Sequence, residues 1–411
     1  MMKRWLAGSI AAGLIFLSAV AMGGFEKTVV KKAAPQQDFY NQAQLFAEAI
    51  NILRNEYVEE VDSKKLIYGA MKGMLESLDD FSQFLEPDEY NEIKVETKGE
   101  FGGVGVEITL KEGILTVIAP IAGTPAEAAG MRAGDRIVKI DGKSTKKITL
   151  DEAVKKMRGK PGTVVTLTVW REGPVNVIDI PIKRDIIKIR SIKKAEIIED
   201  RIGYIKLAEF QENTPRDLDE AIKKLKIAGM DSLILDLRNN PGGLLDGAVD
   251  IAERFLGKGK PIVSIKARDP GQNAVFKSGG RAAGADFPMI VMVNEGSASA
   301  SEIVAGAIKD NKRGIILGAK TFGKASVQTL IPLRDGSALR ITTAYYQTPD
   351  GKMIKGEGIT PDVIVASDTD GKSKAEDIFE KVEKPQEAVP KKDNQLDAAV
   401  NLMKAIRTYG P

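Results

Sequence analysis

The stretch Met289-Ile290-Val291-Met292-Val293-Asn294-Glu295-Gly296-Ser297-Ala298-Ser299-Ala300-Ser301-Glu302 decides the fold. It begins with an unbroken apolar run, which reads as a strand covered on both faces. A polar, Gly-containing turn follows and then opens a helix. Similar apolar runs recur at 232–237, 262–265 and 315–317, separated by helical stretches at 217–226, 245–255 and 301–309. Buried strands alternating with helices predict an α/β core with a largely parallel sheet over residues 187–366.

Composition narrows the chemistry open to that core. A length of 411 residues suggests two or three domains, and 43% hydrophobic residues can fill their interiors. The chain has no cysteine and no histidine. Disulfides, thiol nucleophiles, Cys- or His-bound metals and a Ser-His-Asp triad are therefore excluded. A hydrolase built here must pair Ser or Thr with Lys, or use carboxylates. No dense acidic cluster reads as a metal site, and no cofactor is expected. The formal charge is +3, and without Lys3 and Arg4 the 60 basic residues become 58 against 57 acidic. Nothing electrostatic points to nucleic acid.

Lys3 and Arg4 precede an uncharged stretch from Trp5 to Phe25 that contains Ala19-Val20-Ala21. This reads as a signal peptide or a retained anchor over residues 1–24, with the two readings left open. Either way the rest of the chain is expected outside the cytoplasm, periplasmic or otherwise extracytoplasmic, and attached to the inner membrane if the segment is kept.

Residues 38–96 read as helical. Phe46, Ala49/Ile50, Leu53 and Tyr57 form one apolar face, and a second helix over 64–78 leads into Leu78-Asp79-Asp80-Phe81-Ser82. The pair packs on its own core or serves as a dimerisation or docking arm. Residues 367–394 have linker composition. The segment 395–407 forms an amphipathic helix with Leu396, Ala399/Val400, Met403 and Ile406 on one face. A homo-oligomer through the N- and C-terminal helices stays open.

Residues 97–186 carry short β runs among glycines. Gly102-Gly103-Val104-Gly105-Val106, Gly130-Met131-Arg132-Ala133-Gly134-Asp135-Arg136-Ile137 and Ile140-Asp141-Gly142 together resemble a PDZ domain. A glycine-rich turn can aim backbone N–H groups at a carboxylate, and the strand after it can accept a peptide as an added strand. Gly103, Val104, Gly105 and Val106 are thus the candidate peptide-binding residues. Arg158 ends the helix flanking that groove. It either steadies the helix dipole or couples peptide occupancy to the core.

At the strand-to-helix turn, Ser297, Ser299 and Ser301 could each be nucleophile or cap. The free N–H groups of the helix start suit an oxyanion. Lys324 and Gln328 follow, four residues apart and on one face whether the backbone is helical or extended. A lysine serves as general base only when neutral, which burial favours. Asp310 is expected to pair with Arg313 or Lys309.

The order of motifs resembles the carboxy-terminal processing proteases, the PDZ-containing Ser/Lys peptidases. The matching segments are Asp236-Leu237-Arg238-Asn239-Asn240-Pro241-Gly242-Gly243-Leu244, Ser297 to Ile303, Thr321-Phe322-Gly323-Lys324 with Val327-Gln328, and Gly358-Ile359-Thr360-Pro361-Asp362. That family sets its base 25 residues after the nucleophile, as Lys324 stands after Ser299. The resemblance implies an α+β multidomain chain: a helical N-terminal arm, a PDZ domain and a crotonase-like α/β protease core. It implies Ser299 as nucleophile, Lys324 as base and Gln328 as its orienting partner. The oxyanion hole would combine Ala300 with Gly242 or Gly243. Substrates would be proteins with disordered, often apolar C-terminal tails. Two positions depart from the family pattern. Ala325 replaces a common glycine, with little damage expected unless φ is positive there. Phe81 replaces a common histidine, in a loop expected to bear on docking rather than chemistry. The rival readings are a catalytically silent PDZ adaptor or chaperone, and a crotonase-like acyl transferase.

Overall fold

The computed structural model describes residues 34–171, 177–281, 286–366 and 393–409. The expected export segment and nearly all of the expected linker lie outside them. Among the described residues no helix is long and apolar enough to cross a membrane.

The chain divides into two compact units, 1–69 and 70–411. In the first, helix α1 (Ala34–Glu56) leaves the expected apolar face uncovered: Phe46 is 44% and Leu53 47% exposed. Helix α2 (Ser63–Glu76) starts in this unit and ends in the second.

The second unit opens with strand β1 (Gln83–Leu85) and helix α3 (Pro87–Lys98). The region expected to be helical thus contains a strand. Pro87 starts α3, where its missing N–H costs nothing, and the Glu89 carboxylate accepts the Glu86 amide at 2.7 Å.

Residues from 100 to 188 form β2 (Glu100–Gly103), β3 (Val106–Lys111), β4 (Ile114–Pro120), α4 (Pro125–Ala128), β5 (Arg136–Ile140), β6 (Lys143–Ser144), α5 (Leu150–Met157), β7 (Val164–Trp170), β8 (Val177–Lys183) and β9 (Asp185–Lys188). The main sheet runs β3-β4-β5-β7-β8, so β3 lies at its edge, and β2 pairs separately with β9. Alternate residues Val165, Leu167 and Val169 point into a core with Leu115, Ile137 and Met157. Thr149 caps α5 by accepting the Glu152 amide at 3.2 Å.

The remaining elements are β10 (Ile192–Ile197), β11 (Ile202–Leu207), α6 (Thr214–Ile227), β12 (Ser232–Asp236), α7 (Leu245–Glu253), β13 (Pro261–Ala267), β14 (Ala274–Lys277), β15 (Met289–Val293), α8 (Ala300–Asp310), β16 (Ile315–Gly318), β17 (Ser326–Pro332), β18 (Ala338–Gln347), β19 (Val363–Ile364) and α9 (Asn394–Tyr409). One six-stranded sheet runs β10-β11-β12-β15-β16-β19, parallel from β11 onward. Its alternation explains the unbroken apolar runs. Leu233, Leu235, Met289 and Val291 face the core with α6, α7 and α8. Ile234, Ile290 and Met292 face the other side, where Ala399, Val400 and Met403 of α9 cover them. The apolar face expected on the C-terminal helix is therefore spent within the chain and is not left for a second copy.

The run at 262–265 is a strand, as read, but it is not in this sheet. It lies in β13, antiparallel to β14 and β18, in a second sheet that also holds β17 and β1. A short apolar run does not encode its partner.

Candidate active site

Strand β15 delivers the chain to a turn whose serines have different fates. Ser297 is fully buried, and its hydroxyl donates to the Leu237 carbonyl at 2.8 Å. Ser301 is fully buried and donates to the Asn240 carbonyl at 2.9 Å. Ser299 alone of the three lines a cavity of about 420 Å³. Its backbone takes φ 54°, ψ −113°, a region that costs a non-glycine residue strain and presents the side chain sharply. The turn thus adopts a strained elbow without the G-x-S-x-G sequence.

Lys324, Gln328, Ala300 and Gly243 line the same cavity. Gly242 does not line it but packs beneath: a Cβ there would come within 2.8 Å of Ser299 Cβ. With φ of 109° as well, position 242 admits only glycine. Its amide donates to Asn240 Oδ1 at 2.9 Å. Among the described residues, the amides of Gly243 and Ala300 have no internal acceptor.

The residue that joins the two halves is Glu302, which sequence reading quoted but gave no role. It is fully buried. Its Oε2 accepts the Ser299 amide and the Lys324 amide, both at 2.9 Å. Its Oε1 accepts the Thr321 hydroxyl at 2.6 Å and the Gly323 amide at 2.7 Å. Burial raises its carboxyl above the ordinary range, while these bonds pull the other way. The signal was available, since Ser299-x-x-Glu302 has capping-box spacing. Tyr346, on β18, adds a second tie, with its hydroxyl bonding the Ser299 carbonyl at 3.2 Å and also reaching the Lys324 carbonyl.

Burial, then the charge of Arg340, pushes the Lys324 ammonium below the ordinary lysine value, against the pull of Glu302. Gln328 donates from Nε2 to Thr342 Oγ1 at 2.7 Å, and its buried Oε1 has no partner. Arg340, Glu96 and Glu209 also line the cavity and were not read from sequence. Burial, then Glu96, raises the Glu209 carboxyl.

Two expectations need correction. Asp310 accepts the Asp350 amide at 3.1 Å, while Lys309 pairs with Asp362 at 2.7 Å. The Phe81 ring is not remote from the chemistry, for Lys324 Nζ lies 4.9 Å from its centroid. Ala325 fits as expected: it is buried in the core and is absent from the positive-φ residues.

A second cavity, about 430 Å³, lies along edge strand β3. Gly103, Val104, Gly105 and Val106 line it with Ile108, Ile118, Val154 and Arg158. The Val104 and Gly105 carbonyls are taken up by the Ala126 and Ile121 amides, at 2.8 and 2.9 Å. The Arg158 guanidinium stacks 4.7 Å from the Phe101 ring centroid, and its Nε is buried without a partner.

Family models match as peptidase family S41 over residues 201–365, PDZ domain over 116–171, and activating protease CtpB N-terminal domain over 9–88. The carboxy-terminal-processing protease of Bartonella bacilliformis is 45% identical over 349 residues, 84% of this chain and 79% of that protein. A probable CtpA-like serine protease of Staphylococcus aureus is 37% identical over 376 residues, 89% and 73% of the two chains. The solved photosystem II D1 C-terminal processing protease is 34% identical with a TM-score of 0.45, covering 79% of this chain and 92% of that one. The chain belongs to the carboxy-terminal-processing serine proteases of peptidase family S41.

Proposed function

We propose that Ser299 is the nucleophile and Lys324 the general base, and that the chain cuts proteins near exposed, apolar C-terminal tails. The observation that carries this is the sharing of one cavity by Ser299, Lys324 and the acceptor-free amides of Ala300 and Gly243. The neutral Lys324 amine takes the Ser299 proton as Oγ attacks the peptide carbonyl. The Ala300 and Gly243 amides then hold the oxyanion, since the Gly242 amide is occupied. Lys324 returns the proton to the leaving amine, and the acyl-enzyme is hydrolysed by a water that Lys324 activates in turn. Gln328 Oε1, buried without a partner, orients the amine.

Tail choice belongs to the β3 groove. Its walls are Val104, Val106, Ile108, Val154 and Met157, so an apolar last residue can be buried there. The open edge of β3 takes the tail as an added strand. Arg158 sits at this groove and is the candidate for passing occupancy on to the core; wild-type peptide hydrolysis by Arg158→Ala would end that idea. The segment from Lys3 to Phe25 supports an exported, periplasmic setting, cleaved or anchored. The uncovered face of α1 supports a homo-oligomer.

The test is to incubate the protein and Ser299→Ala with a folded protein bearing a disordered apolar tail. Cleavage by the wild type alone is expected. Binding without cleavage would favour the silent adaptor. Cleavage surviving in Ser299→Ala would remove the nucleophile, and turnover of a thioester in place of the tail would favour an acyl transferase.

A further inference from the structure

The contact between Phe81 and Lys324 is held from two sides. Asp79 builds the turn: its Oδ1 accepts the Phe81 amide at 2.8 Å and the Ser82 amide at 2.7 Å. Ser82 is buried, and its hydroxyl accepts the Thr342 amide at 3.2 Å. Directly after it, β1 adds antiparallel to β18, with Gln83 opposite Arg340. Thr342 is also the acceptor for Gln328 Nε2. The turn that carries Phe81 is thus fastened to the strand that supports Gln328, and the ring lies half-buried against the lysine.

We propose that Phe81 is a positioning residue for Lys324, its ring face holding the ammonium of the resting enzyme at one fixed place on the cleft wall. This rests on reading Lys324 as the base. The negative face of the ring attracts a cation and has little hold on a neutral amine. Phe81 therefore parks the lysine between turnovers and favours its protonated form.

Other charges act on the same group. Arg340 from β18 opposes the ammonium, and Glu302 from α8 supports it. Glu96, Glu209 and Asp246 line the cavity that Lys324 also lines. On the turn itself, Asp79 is occupied by the amides it accepts. Burial and Arg340 lower the lysine, and Phe81 sets part of the limit to that lowering.

Removing the ring should lower the pH at which the base becomes neutral. The measurement is the rate at which a fluorophosphonate labels Ser299 in the full chain, followed from acid to alkaline pH beside peptide cleavage. Phe81→Leu is expected to move the rising limb to lower pH by about half a unit or more, with a plateau several-fold below wild type. Phe81→Tyr should restore the limb. Pentafluorophenylalanine at position 81 keeps the ring's shape and reverses its charge distribution, so it serves even if the leucine variant misfolds. It should shift the limb the same way as leucine. A limb unmoved in both ring-altered proteins would overturn the proposal, even with a lowered plateau. Lys324→Met separates the two readings. If it labels like wild type at every pH, the base assignment falls and Phe81 with it. If it is inert while the limb ignores Phe81, only the present proposal falls.

Discussion

Glu302 Oε2 accepts the backbone N–H of Lys324 at 2.9 Å, and the same oxygen holds the Ser299 amide. One buried carboxylate thereby fixes the spacing of two segments that the sequence keeps 25 residues apart. Its four short bonds reach backbone or a hydroxyl, so it sets where both segments lie.

Glu302→Gln should test this directly. The amide keeps the shape but presents an NH₂ group to donors that need an acceptor. A stability loss of about 2–4 kcal/mol is expected from denaturant unfolding, with kcat/KM down tenfold or more. Wild-type kcat/KM in this variant would refute the spacing role.

The pH dependence follows from the proposed role of Lys324 as base. Only the neutral amine accepts the serine proton, so kcat/KM should rise with pH through the lysine ionisation. Burial and Arg340 disfavour the ammonium, which sets that rise below the ordinary lysine range. Arg340→Gln removes a like charge, lets the ammonium persist to higher pH and moves the limb alkaline. A limb that stays put or moves acid would exclude the Arg340 contribution.

In the peptide groove, Gly105→Val is the informative change. Position 105 has φ of 77°, and a Cβ would meet Thr124 at 2.4 Å. A strain of about 1–3 kcal/mol should displace the turn. Titration with an apolar-tailed peptide should then show at least tenfold weaker binding, while a short substrate that bypasses the groove is still cut.

On the segment that leads to Gly242, Arg238 joins the core to α9. It bonds the fully buried Asp236 at 2.8 Å and Asp393 at 2.7 Å. Arg238→Ala takes the guanidinium from buried Asp236, which keeps the Tyr204 hydroxyl at 2.7 Å and Lys206 at 3.6 Å, and should cost about 2–4 kcal/mol in urea unfolding. A loss under about 1 kcal/mol would mean the pair is dispensable. Asp393 is held below its ordinary value, first by its bond to Arg238. Its contribution is complete above the ordinary aspartate range and fades as pH falls through that depressed value.

The parallel sheet was legible because both its faces are covered, so Leu233 to Asp236 and Met289 to Val293 needed no alternation. The antiparallel sheet was harder to read. β18 carries Arg340, Thr342 and Tyr346, yet mixes polar and apolar residues without a clean period. Its chemistry stayed hidden for that reason. Phe81 was misjudged because its contact to Lys324 is a matter of tertiary pairing between β1 and β18, which no local pattern encodes. Ser299 is singled out in the sequence by the spacing to Lys324 that the family resemblance implies, and the structure adds a separate reason: Ser297 and Ser301 spend their hydroxyls on backbone carbonyls.

Strand β18 is shared by β1, β13 and β17. The Ser82 hydroxyl meets the Thr342 amide across 260 residues of sequence. Contacts this remote must await synthesis of both ends and the closure of a long loop. A chain made from its N-terminus therefore holds its serine before it can complete the wall around its lysine. Under the proposed dyad, the unfinished polypeptide carries a hydroxyl whose base is not yet walled in, so cleavage waits on the pairing of β1 with β18.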